Sequence, residues 1–207
     1  MSKHIYTLLC LGDSYTIGEG VALHESFPYQ TVQLLRDKGF HFHAPEIVAK
    51  TSWTTFELAE HVLHHKLNEQ YDFVTLLVGV NNQYRGLGMD EFANEFEFLL
   101  KKAIHLANNH TERVIVLSIP DWGVTPFATD RNATEIHDAI DAFNATCESL
   151  AAKHETHYID ITASTRKAKN DTSLLTGDQL HYSAKEMQGW VKSVASIIQQ
   201  ELALATN

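Results

Sequence analysis

Five short apolar segments recur along the chain, separated by longer stretches of mixed polarity. Their apolar residues occupy adjacent rather than alternate positions, and most of them are β-branched or aromatic. This pattern is typical of strands that are covered on both faces, as in a parallel sheet. The five predicted strands are Ile5–Leu11, Glu46–Ala49, Phe73–Val78, Val114–Ile119 and His157–Ile159.

Between these segments, apolar residues recur at spacings of three and four, which predicts amphipathic helices. One stripe comprises Phe92, Phe96, Leu99, Ala103 and Leu106, and another comprises Ile136, Ile140, Phe143, Cys147 and Leu150. Capping-box patterns at Thr54–Glu57 and Ser183–Glu186 predict two further helix starts. Gly39 is placed to end a helix that begins near Ser26.

Strands that alternate with helices five times predict βαβ units with right-handed crossovers, and therefore the α/β class. No repeat, low-complexity tract or linker divides the sequence. We therefore expect a single domain over residues 1–207, a length that can bury a sizeable core.

The composition excludes several functional classes. The chain carries 16 Lys and Arg against 26 Asp and Glu, a formal net charge of −10. Nucleic-acid binders and proteins drawn to anionic membranes need a basic surface, so neither partner is expected. No apolar run approaches the roughly 20 residues that span a bilayer. The short first segment lacks a cleavage site, so we expect a cytoplasmic protein.

Polar side chains follow each predicted strand, and in a parallel sheet such residues meet at the carboxyl edge. Ser14, directly after the first strand, is a candidate nucleophile, with Gly12 keeping the turn before it uncrowded. A serine hydroxyl needs a neighbouring base to attack a carbonyl. The alternative is that Asp13 and Ser14 only cap the next helix.

Asp178 and His181 supply the missing base. A carboxylate three residues before a histidine, in a loop, can fold back onto the imidazole Nδ1–H and leave Nε2 facing outward. The alternative is a surface Asp–His pair of little energetic value. Asn81, after the most apolar strand, can offer its carboxamide N–H to an oxyanion, or can merely occupy a left-handed turn.

These residues together resemble the GDSL/SGNH hydrolase superfamily, whose motif blocks they match in order from residue 12 to residue 181. Gly12-Asp13-Ser14 matches the first block, Gly79-Val80-Asn81 the third, and Asp178 to His181 the family's Asp-x-x-His. The resemblance implies Ser14 as nucleophile, His181 as base and Asp178 as the residue that orients it. It implies an oxyanion hole formed by the Ser14 N–H, the Asn81 carboxamide and a residue of the second block.

Two positions depart from the family pattern. The second block normally has a glycine whose N–H joins the oxyanion hole, and here the aligned residue is Ser52. Serine keeps the N–H but needs a backbone conformation open to residues with a Cβ atom. The third block commonly reads Gly-x-Asn-Asp, and Asn82 takes the place of the aspartate. We expect an altered supporting hydrogen bond there rather than lost activity.

The resemblance also implies the SGNH hydrolase fold, a three-layer α/β/α arrangement with a flavodoxin-like five-stranded parallel sheet of order 2-1-3-4-5. In that order the first three strands are neighbours about 4.8 Å apart. Ser14, Ser52 and Asn81 would then surround one developing oxyanion.

Several residues near these motifs could form a substrate pocket, or could equally be core or surface residues. The aromatic candidates are Trp53, Tyr84, Trp122, Phe127 and Tyr182. Arg85, the only cation directly after Asn81, could meet an anionic substrate. The 13 histidines lack carboxylate or thiolate partners at ligand spacing, so no metal is expected. Cys10 and Cys147 fit core positions.

Three functions remain open from the sequence. The first is a serine ester hydrolase that needs no cofactor and acts on a small-molecule ester through an acyl-enzyme, with short acyl groups favoured by the short loops at residues 82–89 and 120–130. The second is a flavodoxin-like module that grips a phosphate or nucleotide in its first loop. The third is a catalytically inactive relative of the hydrolases. The sequence does not indicate an oligomeric state.

Overall fold

The computed structural model describes residues 4–204, and their backbone forms a five-stranded parallel sheet of order β2-β1-β3-β4-β5. The strands are β1 Leu8–Gly12, β2 Glu46–Ala49, β3 Phe73–Leu77, β4 Val114–Leu117 and β5 His157–Ile159. The predicted strand order is therefore confirmed. Two of the five predicted strands have the observed bounds, and the other three differ by one to three residues at an end.

The first strand begins later than predicted because the sheet does not extend to its first residues. Ile5 is 49% exposed, and Tyr6 forms only an isolated bridge to Phe42. From Leu8 onward every residue of β1 is buried between its two neighbouring strands.

The helices within residues 4–204 lie between and after the strands. They are α1 Ser14–Ile17, α2 Phe27–Asp37, α3 Thr55–His64, α4 Val80–Tyr84, α5 Met89–Leu106, α6 Ala133–Lys153, α7 Thr162–Thr165 and α8 Ala184–Leu204. Helix α2 packs against α8, whereas α3 packs against α5 and α5 against α6. Right-handed crossovers place these two groups on opposite faces of the sheet, which gives the expected three layers.

Both predicted helical stripes face the core. All five residues of the α5 stripe are buried, as are the first four of the α6 stripe, including the Cys147 thiol. Cys10 is buried in β1. The buried hydrophobic side chains of the described chain form one core cluster, and a single domain over residues 1–207 stays a prediction.

The two predicted capping boxes have different outcomes. The Thr54 side chain and Glu57 form a capping box at the start of α3, as predicted. The prediction at Ser183 is wrong because the side chains of Ser183 and Glu186 bond to other residues and not to each other's backbone. The Ser183 hydroxyl donates to the carbonyl of Ser173 at 2.9 Å, and the Glu186 carboxylate accepts from Ser164 and Trp190.

The sheet register aligns the strand ends that matter for the site. Gly12 pairs with Ala49 of β2 on one side and with Leu77 of β3 on the other. The chain therefore leaves β1, β2 and β3 at one level of the carboxyl edge. The segments that follow carry Ser14, Ser52 and Asn81.

Candidate active site

A cavity of about 230 Å³ opens at this carboxyl edge, and it brings together residues from the segments that follow all five strands. Its polar lining includes Ser14, Asn81 and His181, which the sequence singled out. The complete lining is Ser14, Tyr15, Thr51, Ser52, Val80, Asn81, Tyr84, Trp122, Phe127, Leu180 and His181.

Ser14 is held at the cavity by a turn that only glycine can begin. A Cβ atom on Gly12 would lie 2.0 Å from Thr16 Oγ1 and 2.3 Å from the carbonyl oxygen of Leu77. Asp13 caps helix α1 by accepting a hydrogen bond from the N–H of Tyr15 at 3.0 Å. Asp13 is therefore the residue that caps α1. Ser14 is not a cap, since it lies at the first helical position and lines the cavity.

Asp178 and His181 form the predicted pair. Asp178 Oδ2 lies 2.6 Å from His181 Nδ1, and Oδ1 accepts from the backbone N–H groups of Leu180 and His181, each at 2.9 Å. The Thr176 hydroxyl donates to the same oxygen at 2.7 Å. Partial burial opposes ionisation of Asp178, but the hydrogen bonds from His181, Thr176 and Leu180 hold its pKa well below the usual range. The carboxylate therefore stays ionised and fixes the imidazole with Nε2 directed away from it.

The link between His181 and Ser14 is not a direct hydrogen bond. Both residues line the cavity, yet within residues 4–204 no hydrogen bond joins the Ser14 hydroxyl to the imidazole. His181 Nε2 instead lies 3.7 Å from Glu19 Oε2. Catalytic hydrogen bonds often close only when substrate binds, so the open contact is compatible with a nucleophile–base pair.

Ser52 departs from the conformation that serine prefers. Its φ is +67°, in the left-handed region that favours glycine. The serine thus adopts the type of backbone conformation for which the family's glycine is suited. Arg85 donates a hydrogen bond from Nη2 to the Ser52 carbonyl at 2.5 Å.

Asn81 lies in the first turn of α4 and not in the left-handed turn that was the alternative. Its Nδ2 donates to the carbonyl of Trp53 at 2.9 Å. A carboxamide nitrogen carries two N–H groups, so a second donor is available at the cavity.

Asn82, in the place of the family aspartate, bonds through both polar atoms of its carboxamide to Thr55 at the start of α3. It is fully buried; its Oδ1 accepts from the N–H of Thr55 at 3.0 Å and its Nδ2 donates to Thr55 Oγ1 at 2.7 Å. The Thr55 hydroxyl donates in turn to Glu95. This chain of bonds fixes the start of α3 against α4.

Three of the six pocket candidates, Tyr84, Trp122 and Phe127, line the cavity. The Tyr84 and Trp122 rings meet edge to face at 5.3 Å, and Phe127 packs edge to face on Trp122 at 6.2 Å. They form one aromatic wall.

The other three pocket candidates do not line the cavity. Tyr182 is fully buried and donates its hydroxyl to the carbonyl of Asp121. Trp53 packs its ring against His61. Arg85 pairs with Glu57 at 2.8 Å and with the Ser52 carbonyl, so its guanidinium bridges α3 and the Ser52 segment.

Sequence reasoning missed two polar neighbours of the site. Thr51 lines the cavity beside Ser52, and Glu19 lies near His181. Their positions within motif segments were a signal, because residues adjacent to strand-end motifs share the same sheet edge.

Burial also perturbs two groups next to Ser14. Desolvation raises the pKa of the Asp13 carboxyl to about 7, while the Tyr15 N–H acts in the opposite direction. Burial likewise raises the pKa of the Tyr15 hydroxyl well above its usual value.

The described residues contain no group of three or more His, Cys, Asp or Glu side chains arranged to hold a metal ion. Two of the histidines, His61 and His65, stack on each other with their ring centroids 3.5 Å apart. None of the helices within residues 4–204 is long and apolar enough to span a membrane.

Comparison with solved structures identifies the fold. TesA superposes with a TM-score of 0.73 at 16% identity, covering 94% of this chain and 98% of that one. The lipase/acylhydrolase from Enterococcus faecalis gives 0.68 at 20% identity, covering 96% and 95%. The esterase EstA from Pseudoalteromonas sp., inhibited by monoethylphosphonate, gives 0.68 at 15% identity, covering 96% and 99%. These similarities establish the SGNH hydrolase fold.

The comparison with curated proteins found no match. The sequence model of the GDSL-like lipase/acylhydrolase family matches residues 10–188, which include the Ser14 block, the Asn81 block and the Asp178–His181 pair. This match covers most of the chain, so the protein belongs to the GDSL-like lipase/acylhydrolase family of ester hydrolases.

Proposed function

We propose that this protein is a serine ester hydrolase that works through an acyl-enzyme on Ser14, His181 and Asp178. The observation that carries the proposal is the 2.6 Å Asp178–His181 bond in a loop that lines the same cavity as Ser14. A carboxylate-oriented imidazole beside a serine at a strand end is the arrangement that acyl transfer requires.

The reaction follows from the roles of these groups. Ser14 Oγ attacks the ester carbonyl while His181 Nε2 takes its proton, and the carbonyl oxygen becomes an oxyanion. The N–H groups of Ser14 and Ser52 and the second N–H of the Asn81 carboxamide are the donors that would stabilise it. His181 returns the proton to the departing alcohol, and water then hydrolyses the acyl-enzyme by the same route.

The size of the cavity favours short acyl groups. Its volume of about 230 Å³ is below the roughly 300–1,000 Å³ of pockets that enclose drug-sized ligands. The wall of Tyr84, Trp122 and Phe127 offers an apolar surface to the acyl or alcohol group. We therefore infer a preference for acetyl to butyryl esters over long-chain esters.

The test is hydrolysis of a series of p-nitrophenyl esters by the wild type and by Ser14→Ala. Ser14→Ala should lose activity while keeping its circular-dichroism spectrum and melting temperature. A fluorophosphonate probe should label the wild type at Ser14 and leave Ser14→Ala unlabelled.

Two results would overturn the proposal. Full turnover by Ser14→Ala would exclude Ser14 as nucleophile, and the absence of both turnover and labelling in the wild type would favour an inactive relative. Faster turnover of dodecanoyl than of acetyl esters would contradict the inferred acyl preference alone.

A further inference from the structure

Glu19 lies on a turn that packs closely against the loop carrying Thr176, Asp178 and His181. It stands between Gly18 and Gly20, whose φ angles are +72° and +86°. A Cβ atom on Gly20 would lie 2.7 Å from Thr176 Oγ1. Thr176 donates to Asp178, so the turn packs directly on the segment that positions His181.

One oxygen of Glu19 contacts both the base and the second block. Glu19 Oε2 lies 3.7 Å from His181 Nε2 and accepts a hydrogen bond from Thr51 Oγ1 at 2.6 Å. The Glu19 side chain is 33% exposed, whereas that of His181 is only 10% exposed. A carboxylate is therefore held beside the nitrogen that must carry the proton.

The charged and titratable groups that face the imidazole come from three segments. Asp178 bonds to Nδ1, Glu19 lies near Nε2, and the Tyr15 ring stands edge-on at 5.6 Å. Asp178 fixes the orientation of the ring through a direct bond. Glu19 is too distant for a hydrogen bond, so its effect on the ring is the Coulomb attraction of its negative charge.

On the basis of the proposed hydrolase function, we propose that Glu19 is a positioning residue that stabilises the protonated form of His181 from its Nε2 side. The imidazole becomes cationic in each half of the reaction, when it removes the proton from Ser14 and again when it removes one from water. A negative charge about 4 Å away favours that cation. Thr51 keeps the carboxylate in place and connects it to the Ser52 segment.

The experiment compares kcat/KM for p-nitrophenyl acetate against pH in the wild type, Glu19→Gln and Glu69→Gln. Glutamine preserves the size of Glu19 and can still accept from Thr51. Glu69 is exposed and precedes β3 at the opposite edge of the sheet, so Glu69→Gln makes the same change in net charge away from the site. Melting temperatures establish that all three proteins are folded.

We expect the kcat/KM profile of Glu19→Gln to depart from that of the wild type, because the substitution removes a negative charge about 4 Å from His181 Nε2. The plateau value of kcat/KM for Glu19→Gln should fall by up to about tenfold. The Glu69→Gln profile should overlay the wild type. Because Glu19 is one-third exposed, 1 M salt should shrink the difference between Glu19→Gln and wild type.

Two outcomes would overturn the inference. Superimposable profiles of Glu19→Gln and Glu69→Gln would show that Glu19 does not act on the base. A higher plateau of kcat/KM in Glu19→Gln would show that the contact restrains His181 instead of assisting it. The hydrolase function itself is tested separately, because loss of turnover in Ser14→Ala would stand under either outcome.

Discussion

Arg85 Nη2 donates a hydrogen bond to the backbone carbonyl of Ser52 at 2.5 Å, so the end of α4 holds the loop that follows β2. The same guanidinium binds Glu57 of α3 through Nη1 at 2.8 Å. Arg85 therefore joins the segment that carries Asn81 to the segment that carries Ser52. Both proposed oxyanion donors outside Ser14 depend on this relative placement.

Replacing Arg85 should impair turnover more than substrate binding. We expect Arg85→Ala to lower kcat by about tenfold, since misplacing a donor costs less than the about 10²–10³ of removing one. Arg85→Lys should recover part of the loss because an ammonium can still reach one acceptor. The measurement is steady-state kinetics on p-nitrophenyl acetate, with Arg113→Ala, before β4 at the opposite sheet edge, as control. An unchanged kcat in Arg85→Ala would contradict this role.

Ser52→Gly should stabilise the protein. The φ of +67° at Ser52 costs a residue with a Cβ atom roughly 1–2 kcal/mol, and glycine removes that cost at the expense of a more flexible unfolded chain. We expect the free energy of unfolding in urea to rise by about 1 kcal/mol, with kcat/KM within about threefold of wild type because the N–H is kept.

The control for Ser52→Gly is a serine-to-glycine substitution that should change the free energy of unfolding in the opposite direction. Ser193 is exposed within α8, so Ser193→Gly should lower the free energy of unfolding by about 0.5–1 kcal/mol. Equal destabilisation by the two substitutions would show that Ser52 is not strained.

Much of the fold could be predicted because its signals are local. The predicted bounds of β2 and β5 are the observed ones, and the apolar stripe of α5 is buried throughout. The sheet order came from the family resemblance, since periodicity does not specify which strands are neighbours. The Asp178–His181 bond was predictable for the same reason as the strands, because its partners are three residues apart.

The errors concern side chains whose partners are distant in sequence. Tyr182 directs its hydroxyl to Asp121, 61 residues away, and so lies in the core instead of the pocket wall. Glu186 accepts from Ser164 rather than completing a capping box with Ser183. Arg85 donates a hydrogen bond to the carbonyl of Ser52, 33 residues earlier. Such pairings depend on how helices dock on the sheet, which short motifs do not encode.

Asn82→Asp should destabilise this chain even though the family commonly has aspartate there. Thr55 Oγ1 accepts from Asn82 and donates to the half-buried Glu95, so an aspartate would replace the donor with a second carboxylate, this one fully buried. We expect a loss of about 1–3 kcal/mol in the free energy of unfolding at pH 8. The loss should diminish toward pH 5 as the new carboxyl becomes protonated.

The partner substitution tests the same bond chain. Glu95→Gln supplies a neutral group on the other side of Thr55, so the double variant Asn82→Asp with Glu95→Gln should recover part of the stability lost in Asn82→Asp. Asn170→Asp, at an exposed position, is the control and should leave stability nearly unchanged. If the losses of unfolding free energy in the two single variants simply add in the double variant, glutamine at position 95 does not replace the donor that Asn82→Asp removes.

Asp13 makes the stability of the protein depend on pH. Its side chain is buried, and within residues 4–204 its Oδ2 has no hydrogen-bond partner. Burial raises its pKa to about 7, above the roughly 3.9 of an unfolded chain. Because the folded state binds this proton more tightly than the unfolded chain, protonation of Asp13 stabilises the folded state. This stabilisation is fully present below about pH 4 and is lost progressively as the pH rises toward 7.

Asp13→Asn should remove this dependence, because the asparagine side chain is neutral at every pH and still offers Oδ1 to the Tyr15 N–H. The free energy of unfolding of the variant relative to wild type should therefore increase by a few kcal/mol between about pH 4 and pH 8, following the roughly three-unit shift. Urea titrations at several pH values measure this difference, and a constant cost of burying the new amide cancels from it. Asp130→Asn, at an exposed position, provides the comparison and should give a flat difference. A flat difference for Asp13→Asn as well would mean that the buried carboxyl is ionised at the same pH in the folded and unfolded chains.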